Sequence, residues 1–129
     1  MRVRHVGFFS DLPHGIPSEP SVESLVASCP QQDEDRLVNY LRCGVLFIAC
    51  PGVVRDVLSK SESIIGCAHI LTDGVWAWPE DLAHYVSRYH VRLPSAFAEH
   101  ASLNQWTVPK GIRVEELSLV AQEDQGERP

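Results

Sequence analysis

The sequence lacks a cluster of basic residues: 11 Lys and Arg stand against 17 Asp and Glu, and the formal net charge is −6. Proteins that grip nucleic acid depend on clustered Lys and Arg side chains that neutralise phosphates. A nucleic-acid-binding function is therefore not expected. The acidic surplus instead favours a basic protein partner, because complementary charge speeds association.

Long apolar runs are also missing. The longest, VLFIAC (45–50), suits a buried strand and is far shorter than a membrane-crossing helix. The first residues, MRVRHVGFFSDLP, show neither the apolar stretch nor the cleavage site of a signal peptide. The cysteines do not define a small secreted disulfide scaffold; they are Cys29, Cys43, Cys50 and Cys67. We therefore expect a cytoplasmic location, reduced thiols and no contact with a membrane.

Motifs for catalysis, metal binding and phosphate binding are absent as well. The chain contains no HExxH, CxxC, GxSxG, GxxxxGK or GxGxxG. We therefore expect no catalytic residue, no metal ligand and no cofactor. One alternative stays open: Cys50 follows a strand-like run, where a nucleophile could be exposed, and His69 is a conceivable base. That pair, or an aromatic-lined cleft, would make the protein a small enzyme of unknown class.

The strongest positive signal is a β-hairpin over residues 64–78, IIGCAHILTDGVWAW. Two apolar segments flank Asp73-Gly74, a dipeptide preferred in type I′ turns because both central residues take positive φ. We expect this hairpin at the centre of a small, mostly antiparallel sheet. VLFIAC predicts a further central strand, and residues 5–9 (HVGFF) predict a first strand.

Several segments have helical periodicity. QDEDRLVNYLRCG (32–44) would bury Leu37, Val38 and Leu41. Pro79 is expected to start a helix over 79–90, in which Leu82, Tyr85, Val86 and Tyr89 recur at helical spacing. Short helices are also predicted over 22–28, 53–63 and after Pro94. The predicted fold is therefore α+β, with four or five short helices packed on the sheet.

The domain organisation is simple. Residues 1–111 predict a single globular domain, and residues 112–129 predict an acidic C-terminal tail. The tail contains Glu115, Glu116, Glu123, Asp124 and Glu127 against Arg113 and Arg128.

The aromatic cluster after the predicted turn is the candidate binding region. Trp76 and Trp78 are two residues apart, so they share one face of a strand. A face of that size must be covered by helices or offered to a ligand. We expect the following helix to cover it, leaving the aromatic rims and neighbouring acids for contact. The predicted partner-binding residues are Trp76, Trp78, Glu80 and Asp81.

Three stretches, GFFSDLPHG (7–15), YLRCGVLFIACPGVVRDVL (40–58) and ILTDGVWAWPEDLAHYVSRYHVRLPSAFAEH (70–100), resemble a family of small, mostly uncharacterised actinobacterial proteins. The most specific element is the DGxWxWP-x-DLxxYV pattern of residues 73–86. The resemblance implies no catalytic residue. In size and acidity the chain is also similar to bacterial toxin-immunity proteins. We therefore expect a non-catalytic protein-binding module, of the immunity type or another, and a homodimer is compatible with this expectation.

Overall fold

The computed structural model describes residues 2–119. This part of the chain forms seven strands: β1 (Arg2–His5), β2 (Val45–Ile48), β3 (Val53–Arg55), β4 (Ile64–Cys67), β5 (Ile70–Thr72), β6 (Trp76–Pro79) and β7 (Ser118–Leu119). It also forms three α-helices, α1 (Glu34–Arg42), α2 (Leu82–Tyr89) and α3 (Ser95–Leu103), and 3-10 turns at Glu23–Leu25 and Val114–Glu116. The predicted α+β class is confirmed. The predicted helix number is too high for these residues, because 22–28 yields only a 3-10 turn and 53–63 yields a strand.

The main sheet has the strand order β2-β5-β6-β1-β7. β2, β5 and β6 pair antiparallel, whereas β1 runs parallel to both β6 and β7. The sheet is thus mixed rather than mostly antiparallel, because a long helix-containing connection separates β1 from the strands that return beside it. β7 belongs to the predicted tail 112–129, of which residues 120–129 lie outside the described part.

The central hairpin is made by β5 and β6, with Leu71 opposite Trp78. Its turn at Asp73-Gly74 is confirmed, but the turn is not type I′. Gly74 has φ 96°, whereas Asp73 is not left-handed and its carboxylate accepts two backbone N–H groups of the loop. The first hairpin strand begins at Ile70 rather than at residue 64, because β4 pairs with β3 instead.

Residues 45–72 form one kinked antiparallel ribbon. β2 pairs with β5, β3 pairs with β4, and between the two ladders the N–H of Ala68 donates to the C=O of Gly52. The predicted helix over 53–63 is therefore wrong: two β-branched valines begin β3, and such side chains favour a strand. The ribbon places β2 at the outer edge of the sheet, so the prediction that VLFIAC forms a central strand is also wrong.

The helices bury the apolar stripes that their sequences predict. α1 packs against α2 and α3. In α2, Leu82, Tyr85 and Val86 are fully buried, which confirms the predicted face. The helix begins at Leu82 and not at Pro79, because Pro79 is still paired with Ile70 as the last residue of β6. Within residues 2–119, no helix is long and apolar enough to cross a membrane.

Candidate protein-binding surface

Both hairpin tryptophans lie in the core. The ring of Trp78 is 5.5 Å from that of Phe97 and 6.1 Å from that of Tyr40, and its Nε1 donates to the C=O of Leu41 at 3.0 Å. Trp76 also packs against Phe97, at 5.3 Å. Their cover therefore comes from α1 and α3. Both indoles are buried, so little of either is exposed at the surface.

The two acids after the hairpin differ in exposure. Glu80 is half-buried, with its carboxylate beside Gly66 of β4. Asp81 is buried, and its Oδ2 lies 3.5 Å from Nε2 of His14, although neither carboxylate oxygen accepts a hydrogen bond. Of the predicted contact residues, Glu80 alone keeps substantial exposure, and the partner-binding role of all four stays a prediction.

Histidines serve as partners for carboxylates throughout the structure. Five of the six lie within 3.5 Å of one: His5 with Glu19, His14 with Asp81, His84 with Asp56, His90 with Glu34 and His100 with Asp73. All of these pairs join residues far apart in sequence, so local spacing carries no signal for them. Among residues 2–119, no group of three or more His, Cys, Asp or Glu is placed to hold a metal ion.

The pair of Asp56 and His84 attaches the ribbon to α2. The Asp56 carboxylate lies 2.7 Å from Nε2 of His84 and accepts hydrogen bonds from the Tyr89 hydroxyl at 2.8 Å and the N–H of Leu58 at 2.9 Å. Burial acts to raise the pKa of Asp56, but these hydrogen bonds outweigh burial and lower it. Nearby, burial raises the pKa of Tyr85 to about 12. The arrangement therefore holds the ribbon against α2.

A second network fixes the central turn. The Tyr40 hydroxyl donates to Oδ2 of Asp73 at 2.5 Å, and Nε2 of His100 lies 3.1 Å from the same oxygen. The side-chain amide of Asn104 donates to the Tyr40 oxygen at 2.9 Å. Burial, together with the Asp73 carboxylate, raises the pKa of Tyr40 far above its usual range. The Tyr40 hydroxyl thus links the central turn to the end of α3.

Cys50 and His69, the candidate catalytic pair, are in contact, but the contact does not involve the Cys50 thiol. The backbone N–H of Cys50, and not its thiol, donates to Nδ1 of His69 at 2.9 Å. Nδ1 is therefore occupied as an acceptor, and the contact holds the kink of the ribbon. The thiols of Cys29, Cys43, Cys50 and Cys67 are unpaired.

The outer edge of β2 is the most unusual surface. β2 pairs with β5 alone within the described residues, and its sequence VLFI contains no charge and no proline. In β2, Val45 pairs with Thr72 and Ile48 pairs with Ile70. Leu46 lies opposite Leu71, and the backbone N–H and C=O of Leu71 are directed to β6 on the other side. By the alternation of an antiparallel ladder, the N–H and C=O of Leu46 face outward. The Leu46 residue is 48% exposed.

An apolar cavity of about 540 Å³ adjoins this edge, and we call it the edge groove. It lies between Val45 of β2 and the segment 106–112, and its apolar lining includes Trp106, Val108 and Ile112. The edge groove therefore places apolar side chains beside the free backbone of Leu46.

The segment that forms the far wall of this groove begins with strained backbone. Gln105 and Trp106 both have left-handed conformations, with φ 56° and 58°. The N–H of Trp106 donates to the C=O of Ala101 at 2.9 Å, which holds the indole at the end of α3. Such conformations cost about 1–3 kcal/mol each for residues other than glycine and concentrate at functional sites. The strained backbone therefore makes Trp106 a candidate residue for the binding surface.

No protein-family model matches the chain, and no curated protein or solved structure matches it significantly. The resemblance to the actinobacterial family therefore stays a prediction, and so does the likeness to immunity proteins.

Proposed function

We propose that this protein is a non-catalytic protein-binding module that binds an extended segment of its partner along the outer edge of β2. The backbone of Leu46, with N–H and C=O facing outward from an uncharged edge strand, carries the proposal. Natural sheet edges are usually blunted by charge, proline or a covering element, because a bare edge pairs readily with another strand. This edge lacks charge and proline, and only a register shift against β5 between Leu46 and Ile48 interrupts it, so it is suited to strand addition over a short stretch.

The edge groove supports the same mode of binding. In strand addition, backbone hydrogen bonds supply affinity, and pockets beside the edge select alternate side chains of the added strand. Val45 belongs to the edge and also lines the groove, so an added strand would pass directly beside it. An apolar side chain on the partner suits this lining.

The partner is proposed to be basic, because the protein has a net charge of −6 and opposite charges steer association. An inhibitor of a basic toxin, as in immunity proteins, is one role that fits. A cytoplasmic location is part of the proposal, since the four unpaired thiols suit a reducing compartment.

The test compares three immobilised baits in extracts of the source cells: wild type, Leu46→Lys and Val26→Lys. Val26 is 42% exposed and lies away from the sheet edge, so its substitution is a matched control. Proteins captured by wild type and by Val26→Lys should be depleted at least about tenfold on Leu46→Lys, because a lysine on an edge strand opposes pairing with an added strand. Equal capture by all three baits would contradict the proposal. So would a catalytic turnover that disappears in Cys50→Ala.

A further inference from the structure

A second concave surface, the α3 groove, lies on the outer face of α3. It has a volume of about 440 Å³ and runs between the start of α1 and the last turns of α3, with Trp106 at its end. Ala98 and Ser102, one turn apart, form a floor of small side chains. Leu103 stands at the wall with 83% of its surface exposed. A leucine this exposed beside a half-buried tryptophan is an apolar surface of the kind that protein contacts cover.

The charged side chains that line the α3 groove are both acidic, Asp33 and Glu99. The Asp33 carboxylate makes one ion pair, 3.8 Å from the Arg36 guanidinium. This pair is exposed to solvent and weak, so the carboxylate remains available to a ligand. Glu99 has no ion-pair partner within residues 2–119.

We infer that the α3 groove binds a basic and apolar segment of a partner protein. An Arg or Lys side chain of that segment lies between Asp33 and Glu99, and an apolar side chain packs against Leu103 and Trp106. The inference rests on the proposed protein-binding function and names the chemistry of the partner at a second contact. The indole of Trp106 contributes to binding of both side chains, since the ring face attracts the cation and the ring itself is apolar.

Charge decides among the possible occupants. An acidic segment would meet two carboxylates of the same sign, Asp33 and Glu99, which disfavours it. A second copy of this chain carries a net charge of −6 and no clustered Lys or Arg to place in the groove. A basic partner segment alone satisfies both the acidic rim and the apolar wall.

The test uses two short capped peptides: one of Leu, Ser and Arg, and the same peptide with Glu at every Arg position. The readout is the indole N–H resonance of Trp106 in ¹H–¹⁵N spectra, assigned with Trp106→Phe. The Arg peptide should shift this resonance in a saturable manner, and the Glu peptide should not. In Asp33→Asn/Glu99→Gln the dissociation constant should rise about tenfold, as expected when two exposed charge contacts are lost.

The control is Glu23→Gln/Glu115→Gln, which changes the net charge equally at exposed positions that do not line the groove. This variant should bind the Arg peptide like wild type. Equal shifts with both peptides, or unchanged affinity in Asp33→Asn/Glu99→Gln, would overturn the inference. A shift with protein concentration alone would assign the groove to a second copy and overturn it too. The proposed function is tested separately through Leu46→Lys, so either claim can fail alone.

Discussion

At the scale of single residues, buried carboxylates do most of the positioning. Asp73 is predicted from sequence as a turn residue, and it is one. Its contacts with Tyr40 and His100 were not predictable, because they come from residues 33 and 27 positions away. The same holds for the partner-binding prediction: the pattern identified Trp76 and Trp78 as a large apolar face, but not that α1 and α3 bury it.

Replacing Asp73 with alanine should therefore destabilise the protein by about 2–4 kcal/mol, because the loop N–H groups and the Tyr40 hydroxyl lose their acceptor. Urea denaturation measures the change. Asp35→Ala, at an exposed position of α1, should change the free energy of unfolding little. Equal effects of the two substitutions would show that the network contributes nothing.

At the scale of elements, sequence periodicity identified α1 and the buried face of α2 correctly, and the Asp73-Gly74 dipeptide located the turn of the central hairpin. It failed for the ribbon, where long-range pairing decides the outcome. Residues 53–63 carry both a helical face and β-branched valines, and pairing of β3 with β4 selects the strand. The run VLFIAC is as apolar as a central strand, yet periodicity cannot report how many neighbours a strand has. The edge position of β2, on which the proposed function depends, was therefore not accessible from the sequence.

The assigned face of α2 leads to a direct prediction. Leu82→Ala should destabilise by about 2–5 kcal/mol, since it removes fully buried methyl groups and leaves a cavity. Arg88→Ala should cost little, because Arg88 is exposed and its contact with the Tyr89 ring is a distant 5.7 Å. Similar shifts in the denaturation midpoint for both variants would be inconsistent with this helix orientation.

At the scale of the whole molecule, histidine–carboxylate pairs link segments that are distant in the chain. Asp56 connects the ribbon to α2, Glu34 connects α1 to the end of α2, and Asp73 connects the hairpin to α3. Through Asp56, one of these links also makes the stability of the fold depend on pH.

The acid limb of that dependence follows from Asp56. Its pKa is lowered on folding from 3.8, so the ionised form favours the folded state. The stabilisation is present above the unfolded pKa and is lost as pH falls through the folded pKa. Wild type should thus lose stability more steeply below about pH 5 than Asp56→Asn, as measured by urea midpoints across acid pH. Parallel curves for the two proteins would contradict the assignment.

The central claim is that a partner adds a strand to β2, and hydrogen exchange at the Leu46 amide tests it most directly. By the alternation of the ladder this N–H faces outward, whereas that of Val45, the partner of Thr72, faces β5 and serves as the internal reference. In the free protein the Leu46 amide should exchange much faster than this reference. In complex with the captured partner, it should slow to a similar rate. A Leu46 amide that exchanges equally fast in the free and bound protein, while the partner is stably bound, would contradict the account.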